Sequence, residues 1–127
     1  MSALALQLAA ALALQAAPAA ASLARGEQVY TRCAACHAID THRTGPRHCG
    51  LFGRRAGSAP GFEGYSAALR ASGIVWDANT LDRFLRAPFD AVPGTTMGYA
   101  GVKDDGERAD LIAWLRVATA QGRCTPR

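Results

Sequence analysis

Lysine is almost absent. The 127-residue chain has 14 basic side chains, and all but Lys103 are arginine. Runs of alternating polar and apolar residues are missing too, and no segment repeats. Those absences exclude a sheet protein, a repeat array and a redox dithiol set on parallel strands. Bulky core formers are scarce. From Ser22 onward there are 25 Ile, Leu, Val, Phe, Met, Trp and Tyr residues, alongside all 13 glycines. A domain so composed folds alone only marginally, and a large apolar cofactor at its centre would relieve the shortage. No stripe of basic and aromatic residues is present. The formal charge of +4 therefore points to acidic protein surfaces or anionic membranes, not to nucleic acid.

Charge is also missing from residues 3–21, which are nearly all Ala and Leu, and every Arg and Lys lies from Arg25 onward. This pattern matches the apolar core of a secretory signal peptide, with small Ala19 and Ala21 suited to a cleavage site. The basic residues that usually precede such a core are not there. A retained membrane anchor is the alternative, although the run barely reaches spanning length and Gln7, Gln15 and Pro18 interrupt it. The expected organisation is a targeting segment over 1–21 and one exported domain over 22–127, placed in the periplasm.

Within that domain the spacing predicts a helix over 22–32, from Leu23, Gly26, Val29 and Tyr30. Eight Gly and Pro residues break up 38–65, which reads as loop, and so long a loop usually wraps something functional. A short helix over 66–72 is stopped by Gly73. Another spans 77–87, capped by Asp77 or Asn79 and ended by Pro88. Residues 92–99 read as loop. A last helix covers 105–120, opened by the capping-type run Asp104-Asp105-Gly106-Glu107, with Leu111, Ile112, Leu115 and Ala118 on one face. The predicted fold class is all-α, with helices at both ends and glycine-rich loops between.

What is present, and decisive, is Cys33-Ala34-Ala35-Cys36-His37. A zinc site would want a second ligand pair, and Cys49, Cys124, His42 and His48 match no common zinc spacing. Covalent haem needs no further ligand pair: each cysteine adds across one vinyl group of the porphyrin, and the adjacent histidine lies under the iron. One haem c is the expected cofactor.

The chain resembles the class I c-type cytochromes, the group of mitochondrial-type cytochromes c and bacterial cytochromes c2. The likeness runs from about Gly26 to Arg116. It rests on Cys33 to His37, Gly45-Pro46, Gly50 to Arg54, Ala59-Pro60-Gly61-Phe62, Tyr65 to Ala68, Gly73 to Trp76, Thr80 to Pro88, Val92 to Met97 and Arg108 to Leu115. It implies the cytochrome c fold, with the terminal helices crossing at Gly26, Tyr30 and Trp114 and the loops wrapped around the haem. It implies His37 and Met97 as the axial iron ligands, with the His37 ring donating to the Pro46 carbonyl. It also implies Arg54, Tyr65, Trp76 and Thr95 as partners of the haem propionates and pocket. A core methionine filling a gap is the bland reading of Met97, and a solvated surface charge that of Arg54.

Some positions depart from that pattern. His48 stands where the pattern has leucine against the proximal side of the haem, and is expected at the surface, with Leu51 or Ile39 filling the space. Phe84 stands where many relatives have tyrosine, and Thr96 where lysine often precedes the methionine, so the cationic docking ring is thinned and Arg32 and Arg86 are expected to replace part of it. Cys49 and Cys124 are spare. In an oxidising compartment they suggest a disulfide, with two free thiols or an intermolecular bridge as alternatives.

The implied function is a monomeric one-electron carrier, not an enzyme, docking transiently with redox proteins such as a membrane oxidase, a cytochrome bc1-type complex or a dehydrogenase. Two alternatives remain: an electron-accepting subunit of a dehydrogenase complex, and a haem enzyme with a labile sixth ligand.

Overall fold

The computed structural model describes residues 20–124, so the targeting segment expected over 1–21 lies almost wholly outside the described residues. Five helices follow in order: α1 (Leu23–Tyr30), α2 (Ala67–Ala71), α3 (Ala78–Arg86), α4 (Pro88–Ala91) and α5 (Asp105–Ala118), with a closing 3₁₀ turn over Gln121–Arg123. Among the described residues there is no β-strand, and one isolated bridge pairs Arg55 with Val75. No helix of the described residues is long and apolar enough to cross a membrane.

Local chemistry sets the helix starts. Ser22 caps α1 and accepts from the Arg25 amide. Asp77, not Asn79, caps α3 through a reciprocal box with Thr80, both bonds 2.8 Å long. Asp104 caps α5 by accepting from the Glu107 amide at 2.8 Å. The Glu107 side chain does not turn back to complete that box; it reaches Arg32 across the helix pair. Helix α4 is a departure from the sequence reading. Pro88 was expected to end α3, and it does, but it also opens α4 as a first-turn proline, where a fixed φ and a missing N–H cost nothing.

The two terminal helices cross in direct contact. A Cβ on Gly26 would lie 2.0 Å from the Asp110 carbonyl oxygen and 2.6 Å from Trp114 Cβ, so only glycine lets the backbones meet there. Arg108 locks α5 to α3. The residue is 1% exposed, and its guanidinium donates to Asp82 at 2.6 Å, to Asp105 at 2.7 Å and to the Val102 carbonyl at 3.0 Å. The core gathers Val29, Tyr30, Leu81, Phe84, Leu111 and Leu115 from three helices with Leu51 and Trp76 from the loops. These side chains do not close on one another. Several of them line a central cavity of about 540 Å³.

The loop over 38–66 is irregular but tied down. Gly53 donates to the Trp76 carbonyl at 2.7 Å, and Ala56 to that of Ile74 at 2.8 Å. His42 uses both ring nitrogens: Nε2–H donates to the Pro60 carbonyl at 2.8 Å, and Nδ1 accepts from the Arg47 amide at 3.0 Å. That histidine joins two stretches of the loop and has no ring nitrogen left to bind a metal.

Candidate functional site

The cavity is bounded on one side by the turn that follows α1. The amides of Cys36 and His37 both donate to the Cys33 carbonyl, at 3.1 and 2.9 Å. One turn of chain thus brings both sulfurs and the imidazole to the cavity wall. Burial pushes the Cys33 thiol up. His37 is 8% exposed. Its Nδ1 lies 2.8 Å from the Pro46 carbonyl. A carbonyl only accepts, so the ring proton sits on Nδ1 and the Nε2 lone pair is free. Burial holds the imidazole pKa below its ordinary value, and the bond to Pro46 opposes that shift without reversing it. The ring is therefore neutral and can coordinate a metal through Nε2. Gly45 presses against this ring: a Cβ there would come within 2.3 Å of Cε1.

Met97 enters the same cavity from the loop between α4 and α5. Gly94 turns that loop with φ at +91°, and the buried Thr95 hydroxyl accepts from the Met97 amide at 3.3 Å. Arg54, Tyr65, Trp76 and Thr95 all line the cavity with Met97. Arg54 brings a guanidinium to the cavity wall, with Arg47 beside it outside the lining. Arg54 donates through its terminal nitrogens to the carbonyls of Cys49 and Arg47. Its Nε and that of Arg47 are buried without a partner among the described residues. A buried N–H on a cation is costly to leave unmatched, so the place suits an anionic oxygen.

The family model described as cytochrome c matches residues 23–119. Cytochrome c of Sesamum indicum is 46% identical over 99 residues, covering 75% of this chain and 88% of that protein. Cytochrome c2 of Blastochloris viridis is 44% identical over 115 residues, covering 87% and 90%. The chain belongs to the cytochrome c family. Among solved structures, cytochrome cH from Methylobacterium extorquens superposes with a TM-score of 0.73 at 37% identity, covering 76% of this chain and 98% of that one. The all-α cytochrome c fold expected from the sequence is thus the fold observed.

This cytochrome c carries a single covalently bound haem c and serves as an electron carrier. The residues present fit that group. Two sulfurs, one imidazole with a free Nε2, one thioether and one orphaned guanidinium Nε line a single cavity. An apolar macrocycle would fill the space that the sparse core leaves open.

Three expectations need correction or completion. His48 is not at the surface. It lines the cavity, and its ring stacks on that of His37, with centroids 4.2 Å apart and planes at 22°. Its Nδ1 lies 3.0 Å from the Tyr30 hydroxyl, a partner that makes the half-buried position tolerable. Arg32 and Arg86, expected to replace part of the docking ring, are exposed but ion-paired. Arg32 grips Glu107 with two bonds of 2.6 and 2.9 Å, and Arg86 lies 3.7 Å from Asp82 and 3.8 Å from Asp105. Arg47 was not singled out from the sequence. Its signal is weak, an arginine among 13, and only the fold shows its Nε buried beside Arg54. Cys49 and Cys124 are paired in the structure, with Cα atoms 5.8 Å apart, inside the range a disulfide spans.

Proposed function

We propose that this cytochrome c shuttles single electrons between redox proteins outside the cytoplasm, with Cys33 and Cys36 holding the haem by thioether bonds and His37 and Met97 as axial ligands. The observation that carries the reading is the 2.8 Å contact of His37 Nδ1 with the Pro46 carbonyl, which puts the ring proton on Nδ1 and leaves the Nε2 lone pair for coordination. The bound haem supplies a one-electron iron couple, and a histidine–methionine pair favours the ferrous state, raising the potential. The chain keeps that site dry and rigid. The Pro46 carbonyl fixes the proximal ring, Thr95 shapes the Met97 loop, and Arg54 with Tyr65 and Trp76 receives a buried propionate. Little needs to rearrange when the charge on the iron changes.

Carbon monoxide tests this reading against the enzyme alternative. At neutral pH the ferrous protein is expected not to bind it, while Met97→Ala does. Ready binding by the unaltered protein would show an open sixth position and move the reading to an enzyme.

The exported location and the removal of residues 1–21 belong to the same proposal. They are supported by the uncharged Ala/Leu run and by the start of the domain at Ser22. The Ser22 backbone nitrogen donates to Asp110 Oδ1 at 2.7 Å, so processing after Ala21 would leave the new ammonium already facing a carboxylate. The intact mass of the native protein decides it: a chain beginning at Ser22 supports the proposal, and one retaining Met1 or Ser2 overturns it. Partners are membrane oxidases, cytochrome bc1-type complexes or dehydrogenases, met in brief encounters by a monomer. The neutralising pairs at Arg32 and Arg86 mean that steering rests on the net charge more than on a ring of free cations.

A further inference from the structure

The proximal histidine is held on three sides, and only two belong to the pattern the sequence resembles. Pro46 takes its Nδ1–H, and Gly45 presses on its edge. The third contact is the His48 ring, nearly parallel to it. His48 is itself fixed. Its amide donates to the Ala38 carbonyl at 3.2 Å, its own carbonyl accepts from Leu51 at 3.0 Å, and its ring bonds to Tyr30. Tyr30 in turn packs on Trp114 of α5, centroids 4.7 Å apart. A chain of rings thus runs from the crossing of α1 and α5 to the residue facing the metal.

We infer that His48 is a positioning residue: anchored by the Tyr30 hydroxyl and stacked on His37, it sets the rotation of the proximal imidazole about its bond to the iron. Leucine at this position would fill volume but could not lock an angle, because an aliphatic side chain presents no flat face and no hydrogen bond. A stacked, hydrogen-bonded ring does both. A phenol hydroxyl donates and a ring nitrogen accepts, so the 3.0 Å contact suits the Tyr30 hydroxyl donating to Nδ1. The fixed angle matters because the orientation of an axial imidazole plane sets how unpaired spin is spread over the porphyrin of ferric low-spin iron.

This inference rests on His37 being the proximal ligand, and the experiment separates the two. The ferric holoprotein, Tyr30→Phe, His48→Leu and the double variant are compared by proton NMR of the hyperfine-shifted haem methyl groups and by reduction potential. His48→Leu is expected to change the order or spread of the methyl resonances. It should also raise the potential, since an apolar residue replaces a polar pair near ferric iron. Tyr30→Phe, which keeps every ring, should shift the methyl pattern in the same sense by a smaller amount. It should add nothing in the His48→Leu background, as coupled residues do. A methyl pattern and potential unchanged in His48→Leu, or independent additive shifts, would overturn the positioning role. If His48→Leu fails to assemble, Tyr30→Phe alone decides, an unchanged methyl pattern refuting the inference. A native ferric spectrum without histidine ligation would instead sink the proximal assignment itself.

Discussion

Replacing Gly45 with alanine probes the proximal site with a single carbon. The new Cβ would lie 2.3 Å from His37 Cε1 and 2.7 Å from both ring nitrogens. Non-bonded carbons rest at about 3.5–4.0 Å, so the ring or the 45–46 backbone must shift by more than about 1 Å. Gly45 is not among the glycines with positive φ, so the cost is steric and not conformational. Overpacking of this kind costs about 1–3 kcal/mol, and weakening the Nδ1–H bond to Pro46 adds about 1 kcal/mol. The sum is a loss of about 2–4 kcal/mol. Each kcal/mol is worth roughly 4–8 °C in a domain of this size. Guanidinium denaturation of the ferric holoprotein at pH 7 reads the stability, and the visible spectrum reads the ligands. A loss below about 0.5 kcal/mol, the range of a neutral surface change, with an unaltered spectrum, would refute the claim that this glycine shapes the seat of His37.

Three further outcomes follow from the same contacts. A bridge between Cys49 and Cys124, 75 residues apart, closes a loop worth about 4 kcal/mol in the chain-entropy description; the Cys49→Ser, Cys124→Ser pair should lose up to that amount. Thiol titration of the unfolded, unreduced holoprotein should find no free thiols, and finding two would refute the bridge. Arg108→Met removes three donated bonds while leaving Asp82 and Asp105 exposed enough to rehydrate, so the main cost is the stranded Val102 carbonyl and the lost lock on α3; about 2–3 kcal/mol is expected by thermal denaturation, and a neutral effect would show the cluster to be ornamental. In acid, the pKa values of Asp110, Glu107 and Asp105 lie below the ordinary carboxylate range, held there by the Ser22 amide and Arg25, by Arg32 and by Arg108 respectively. Depressed carboxylates contribute stability that is present above their unfolded pKa, about 4, and lost as pH falls through the folded values. Stability should therefore hold from pH 7 to about 5 and decline below about pH 4, with a shallower decline in Asp110→Asn; an equal slope in both proteins would contradict the assignment.

Much of the site was legible because its chemistry is written in short, local spacings. Cys33, Cys36 and His37 share one turn of chain, and Met97 is fixed by a Pro-Gly loop that cannot be a helix face. The helices were legible where a cap or a stripe marks them, as with Asp77 and Asp104. Other features were not legible, one for a local reason and the rest because they turn on long-range contact. Helix α4 escaped because proline signals both the end of one helix and the first turn of the next. His48 was placed outside because an imidazole in a leucine slot reads as a misfit. Tyr30, 18 residues earlier, is what makes it fit, and nothing in the local sequence announces that pairing. The ion pairs of Arg32 with Glu107 and of Arg86 with Asp105 escaped for the same reason, since those carboxylates come to them only when α1, α3 and α5 pack together.

The most direct test of the whole account is the visible spectrum of the purified holoprotein, recorded native in both oxidation states and again after denaturation. The account predicts haem that stays with the unfolded chain, a low-spin ferric form and the weak red band of an iron–methionine bond, the band disappearing in Met97→Ala. Haem released on unfolding, or a native high-spin ferric form without that band, would contradict it.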